Sequence, residues 1–265
     1  MRLRNPDWEV PSREPDAPAP SVQIWRLRLG DLDGDLIEAF RPLTVPSEHR
    51  RAHRYEFDTD RHRHLAGRAL VRLVLARQYN CAPRDLSLIE GPHGKPELQE
   101  PPNDGPTLHF NVAHTANVVV AAFSRTHPVG IDVESLRRDA DTEALAQRVL
   151  TEAERQRWRA LPAAHRRDAF IHLWTCKEAF LKATGRGLQR ALHSIECRFD
   201  GDTVETLKDA DGHRPASKQD SAAQWAVRSF SASESIAGAV VRKHSLPASL
   251  TWTDAARLVN RHARS

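Results

Sequence analysis

A chain of 265 residues with 40% hydrophobic side chains, six Trp and eight Phe has enough apolar material for a packed core, and no stretch approaches the ~20 apolar residues that cross a bilayer. Lys and Arg number 39 against 35 Asp and Glu, and the formal charge of +4 is a mild basic excess that falls short of a nucleic-acid-binding signature. Cys81, Cys176 and Cys197 stand far apart with no CxxC pair, which excludes a disulfide framework and a thiolate metal site and leaves three reduced thiols as the expectation for a cytoplasmic protein.

Residues 1–20 mix five prolines with Arg, Asp and Glu, a composition that predicts a flexible arm and lacks the apolar region of a signal peptide. Imperfect alternation from Val22 to Leu29 predicts a first strand. The segment His49 to His64 is dominated by Arg and His and reads either as a solvated helix face or as a phosphate-binding patch. Apolar positions recur at helical spacing from Leu65 to Gln78, and the helix is expected to end before Pro83. Thr107 to Ser124 reads as a hairpin turning at His114 to Asn117, with a buried second strand from Val118 to Phe123.

A boundary is placed near His127, and a strand from Val129 to Glu134 follows Pro128 directly. Helices are expected over 142–150 and 151–161, the second opened by the capping box Thr151 and Glu154 and stopped by Pro162. Asp168 to Thr184 is the most strongly helical stretch, with Phe170, Leu173, Trp174, Lys177 and Leu181 read as one stripe and Gly185 as the C-terminal stop. Four short strands are expected at 194–199, 203–207, 224–230 and 236–242, with a polar loop over 208–221 and a short helix over 250–262. The expected organisation is an arm (1–20), an N-terminal half (21–127), a C-terminal half (128–244) and an extension (245–265).

Chemistry concentrates in a few places. In the strand from Val129 to Glu134 the side chains alternate, so Gly130, Asp132 and Glu134 share a face and the two carboxylates lie ~6.6 Å apart along the strand. Such a pair is within reach of one hard divalent cation, although a lone DxE is also what an edge strand with a wetted polar face would carry. Glu178 and Lys182 stand at i and i+4 in the long helix, adding a third carboxylate and a cation, or simply an intrahelical ion pair. Lys95 is presented by the turn Gly91-Pro92-His93-Gly94-Lys95-Pro96, and Phe110-Asn111-Val112-Ala113-His114-Thr115 carries a histidine toward the hairpin tip.

The order and separation of Gly94-Lys95-Pro96, Phe110 to Thr115, Gly130-Ile131-Asp132-Val133-Glu134 and the fifteen residues Trp174 to Leu188 resemble the 4′-phosphopantetheinyl transferases of the surfactin-synthetase-activating (Sfp) type. The resemblance runs from about Val22 to about Arg242. It implies an α/β (α+β) fold of two similar, pseudo-symmetric halves, each a small, mainly antiparallel sheet with packed helices, and a ligand cleft between them. It implies coenzyme A as substrate and Mg²⁺, or Mn²⁺, held by Asp132, Glu134 and Glu178. Glu178, Lys182 and His114 would be catalytic, Glu178 both holding the metal and taking the serine proton directly or through water, and Arg51, Arg63, Gly94, Lys95, Pro96, His114 and Lys182 would bind coenzyme A, with His114 and Lys95 at its pyrophosphate or 3′-phosphate. The second substrate would be an apo acyl or peptidyl carrier protein, with no nucleic acid or membrane partner and a monomeric enzyme. Two positions depart from the family pattern: Ala113 stands where Ser often precedes the histidine, and Glu48 stands where a basic residue is expected near Arg51.

Three carboxylates and a lysine also suit other magnesium-dependent phosphotransferases, but no Walker loop is present. The run Arg50, Arg51, Arg54, Arg61 and Arg63 leaves a basic nucleic-acid-binding module as the reading from another class.

Overall fold

The structure, a computed structural model, describes residues 6–10, 22–91, 95–102, 105–185, 191–200, 203–209, 225–243, 246 and 250–264. Two compact units emerge, one built on His127–Ala248 (with Met1–Pro6) and the other on Asp7–Thr126 and Ser249–Ser265.

In the second of these, strands β1 (Gln23–Arg28), β4 (His109–Thr115), β5 (Val118–Ser124) and β11 (Thr251–Asp254) form one sheet in the order β11-β1-β5-β4. Its pairings are antiparallel except for β1 with β11, which run parallel. The hairpin turn is tighter than the sequence predicts: His114 and Thr115 still pair with Val119 and Val118, and Ala116 takes the positive φ of 49° at the bend. His114 is therefore a strand residue, exposed near the end of β4. Helix α3 (Asp58–Tyr79) covers the sheet, burying Leu65, Leu70, Leu73 and Val74 with Leu27, Val119 and Phe123. Short helices α1 (Leu36–Phe40) and α2 (Pro46–Ala52) and the small hairpin β2 (Leu88–Glu90) with β3 (Pro96–Leu98) complete this side.

The expected helix over 250–262 is two elements, since Thr251–Asp254 is strand β11 and only α7 (Ala256–Ala263) is helical. Docking on the edge of β1 imposes the strand, and Arg26 clamps it with an ion pair to Asp254 at 2.6 Å. Residues 6–10 also have a place, within the span expected to be a flexible arm. Glu9 bridges Thr253, and the Trp8 ring meets Trp252 edge-on with the Arg26 guanidinium 4.2 Å from its centre.

The other unit carries a five-stranded antiparallel sheet of β6 (Val129–Ser135), β7 (Ile195–Asp200), β8 (Thr203–Asp209), β9 (Trp225–Ser233) and β10 (Ile236–Lys243), ordered β6-β10-β9-β8-β7. Lys208 and Asp209 extend β8 where a loop was expected, and the rest of that span lies outside the described residues. Helices α4 (Thr142–Val149), α5 (Glu152–Ala160) and α6 (Ala163–Thr184) pack with the sheet, and the capping box of Thr151 and Glu154 opens α5 as predicted. Helix α6 departs from the single-stripe expectation. It is buried on almost every side, from Ala169 to Ala183, because the sheet lies against one flank and α4 and α5 against another. Gly185 ends it in the left-handed region at φ 67°. All three cysteines are free thiols, and among the described residues no helix is long and apolar enough to cross a membrane.

Candidate active site

The carboxylates of β6 sit under α6 because of Gly130. A Cβ at that position would run into the backbone carbonyl oxygen of Ala179 and the amide nitrogen of Ala183, so only glycine lets helix and strand come this close. One alternation further along the strand, the same approach brings Asp132 against the face of α6 that carries Glu178 and Lys182. Strand β6 is an edge strand, yet its polar face is roofed by a helix instead of wetted. Across the ladder Asp132 pairs with Ala239 and Glu134 with Ala237, small neighbours that leave room beside the carboxylates. Gly130→Ala is expected to destabilise this unit by about 1–3 kcal/mol through forced separation of α6 from β6. A thermal unfolding midpoint equal to that of the parent would refute the close-packing account.

Asp132 is only 5% exposed. Its Oδ1 accepts a hydrogen bond from Lys182 Nζ at 2.6 Å, whereas its buried Oδ2 has no hydrogen-bond partner among the described residues. Burial pushes its carboxyl above the usual range, partly opposed by Lys182. Glu134 and Glu178 are raised as well, first by burial and next by the neighbouring Asp132 charge. Both glutamates thus feel Asp132, Glu178 feels Glu134 as well, and one buried Asp132 oxygen lacks a partner among the described residues, features of a site suited to a hard cation. As the side chains stand, the described residues contain no ready-made set of three metal ligands, because Lys182 and Arg138 occupy this ground. Arg138 Nη1 lies 3.1 and 3.0 Å from the two oxygens of Glu134. Three carboxylates are the donor type that a hard divalent cation takes.

On its opposite flank α6 is fixed by Lys177, which is 0% exposed. Its Nζ donates to Glu154 Oε2 at 2.5 Å, to the Val149 carbonyl at 2.7 Å and to the Leu192 carbonyl at 3.2 Å. Glu154 also accepts from the backbone amides of Thr151 and Cys197. The sequence reading placed Lys177 in an apolar stripe and Glu154 in a helix cap. Their pairing spans 23 positions, and the one available signal was a lysine at a core position, which calls for a buried partner.

The remaining predicted residues belong to the other unit. Arg51 forms an ion pair with Glu90, to which Arg68 also reaches at 3.1 Å. Arg63 donates through Nε to the Ala116 carbonyl at 2.6 Å and meets Asp60 at 2.9 Å, so it braces the turn after His114. His64, missed in the sequence reading, lies among Arg51, Arg68, Glu90 and His114. Burial and the two arginines lower it to about 4, and its buried Nε2 has no partner among the described residues. Lys95 is half-buried, its ammonium lowered first by burial; Pro96 is buried, and Gly94 lies outside the described residues. Glu48 has a structural task in place of a phosphate-binding one: it closes the start of α2 on the Val45 amide and pairs with the buried Arg72 at 3.0 Å.

Comparison with known proteins identifies the family. Residues 128–241 match the family described as the 4′-phosphopantetheinyl transferase superfamily, and residues 35–126 match 4′-phosphopantetheinyl transferase, N-terminal. The chain is 35% identical to the 4′-phosphopantetheinyl transferase HetI of Nostoc sp., over 66% of this chain and 73% of the relative. It is 32% identical to Sfp of Bacillus subtilis, over 67% and 76%, and 32% identical to psf-1 of Bacillus pumilus, over 78% and 89%. Among solved structures, a holo-(acyl-carrier-protein) synthase from Bacillus anthracis in complex with CoA (3′,5′-ADP) aligns over 44% of this chain and 96% of its own, at 24% identity and a TM-score of 0.36. The chain belongs to the 4′-phosphopantetheinyl transferases and is an enzyme of that class.

Proposed function

We propose that the enzyme transfers the 4′-phosphopantetheine group of coenzyme A to a serine hydroxyl of an acyl or peptidyl carrier protein and releases 3′,5′-ADP. The observation that carries this reading is the roofed cluster of Asp132, Glu134 and Glu178 beside Lys182, with a buried Asp132 Oδ2 that has no hydrogen-bond partner among the described residues. Those three carboxylates would hold Mg²⁺, or Mn²⁺ in its place. When bound, the ion supplies neutralising charge to the pyrophosphate as the leaving oxygen becomes anionic.

The chain's own groups divide the rest of the work. Lys182 is the ammonium beside Asp132, at 2.6 Å from its Oδ1, and it shifts to phosphate oxygen as negative charge grows there. Burial raises the Glu178 carboxyl, which makes it a stronger proton acceptor than an exposed glutamate and fits it to take the serine proton. As the serine oxygen bonds to the β-phosphorus, the bond from that phosphorus to the bridging oxygen breaks. The electron pair leaves with 3′,5′-ADP and the proton stays on Glu178 until solvent or product takes it. His114, Lys95, Arg51 and Arg63 bind phosphate oxygens of coenzyme A, with Gly94 and Pro96 shaping the turn that presents Lys95. In this reading the enzyme is a cytoplasmic monomer acting on a protein, with neither nucleic acid nor membrane as partner.

The direct test is incubation with coenzyme A, Mg²⁺ and several apo-carriers, followed by intact mass measurement of each carrier. A gain of one phosphopantetheine on the serine, absent when Mg²⁺ is chelated, is the expected result. No gain on any carrier, or salt-sensitive DNA binding without affinity for coenzyme A, would overturn the proposal.

A further inference from the structure

Arg138 stands just past β6 and belongs to none of the groups assigned above. Its Nη1 bonds to both Glu134 oxygens, its guanidinium carbon lies 4.8 Å from the centre of the Trp174 ring, and Arg167 donates to its backbone carbonyl. The arginine is thus held at three points while its side chain remains 45% exposed against 16% for Glu134. An exposed cation has water to return to, whereas the carboxylate it covers is more buried and lies in the field of Asp132, so a nearby positive charge favours its ionised form.

We propose that Arg138 is a displaceable counter-ion: it neutralises Glu134 while the carboxylate cluster holds no divalent cation, and it swings off Glu134 and the Trp174 face when the cation enters. The inference rests on the metal-site reading of Asp132, Glu134 and Glu178. The arginine then sets the enzyme's affinity for its cation, because every binding event must first break this ion pair. It also makes Trp174 a reporter of that event, since a guanidinium over an indole face perturbs the ring.

The test uses the full-length protein without coenzyme A. Free Mn²⁺ is counted by electron paramagnetic resonance, and Mg²⁺, which does not quench, is followed by tryptophan fluorescence. Arg138→Gln is expected to bind Mn²⁺ about three- to fivefold more tightly than the parent, the upper range for a partly exposed ion pair. Arg137→Gln, which removes the same charge from the exposed neighbour, is expected to change affinity by less. Mg²⁺ should alter the emission of the parent but not that of Arg138→Gln or Trp174→Phe. Unchanged or weaker Mn²⁺ binding by Arg138→Gln, or equal tightening by Arg137→Gln, would overturn the counter-ion role while leaving the metal site standing. Failure of the parent to bind Mn²⁺ would remove the metal-site reading itself.

Discussion

Replacing Glu178 with Gln is expected to leave coenzyme A binding in place and to slow transfer by about 10²–10⁴-fold at saturating Mg²⁺, the range associated with loss of a general base. The amide retains the size of the side chain and one oxygen able to face a cation, but at neutral pH it cannot accept a proton. Measurement of single-turnover transfer alongside calorimetric binding of coenzyme A separates the two effects. Near-normal transfer by Glu178→Gln would confine Glu178 to holding the cation. Asp132→Ala is the harsher change, because it deletes the buried carboxylate that pairs with Lys182 and whose Oδ2 has no partner among the described residues. Transfer should then be abolished, and near-normal transfer by this variant would defeat the whole assignment of the carboxylate site.

The largest stability effect is expected at Lys177. Replacing it with Met removes the buried ammonium and leaves Glu154 buried without that partner, with the Val149 and Leu192 carbonyls losing their donor. Breaking a buried pair from one side costs about 3–5 kcal/mol. At about 2–4 °C per kcal/mol, the unfolding midpoint should fall by roughly 6–20 °C. The charge explanation has its own control in Lys177→Met combined with Glu154→Gln. That pair removes both ions, and the single Gln carbonyl can still accept from one of the two amides, Thr151 or Cys197, so part of the loss should be recovered. Equal losses in the single and double variants would show that packing of the lysine stem, and not an unpaired carboxylate, sets the cost.

Much of this architecture was readable from local rules. Strand β6 announced itself by alternation directly after Pro128, and the long helix by its length and by Gly185 at its end. The carboxylate site was legible because Asp132, Glu134 and Glu178 each obey a short-range period, of two in the strand and of four with Lys182 in the helix. What escaped were partnerships that exist only in three dimensions. Glu48 and Arg72 neutralise each other across 24 positions, and Lys177 meets Glu154 across 23, so no local pattern marks either pair. Strand β11 escaped for a related reason: four residues, three of them polar, become a strand only because the β1 edge offers them hydrogen bonds. Arg138 carries no local pattern that singles it out, and its approach to Trp174 exists only in the folded chain.

That late strand affects how the molecule is made. The sheet of the first-translated unit has β11 on one side of β1, with α7 packed into the same core, and both come from the final stretch of the chain. A ribosome therefore releases every residue of the 127–248 unit before the earlier unit has its full set of strands. Synthesis runs from the N-terminus, but structural completion runs the other way: the unit with the carboxylates can close first, and the unit with Arg51, His64 and His114 waits for its last strand. Until then the β1 edge, with Arg26 lacking its Asp254 partner, is open to other chains, which makes nascent-chain protection more important here than for a protein whose units are each continuous in sequence.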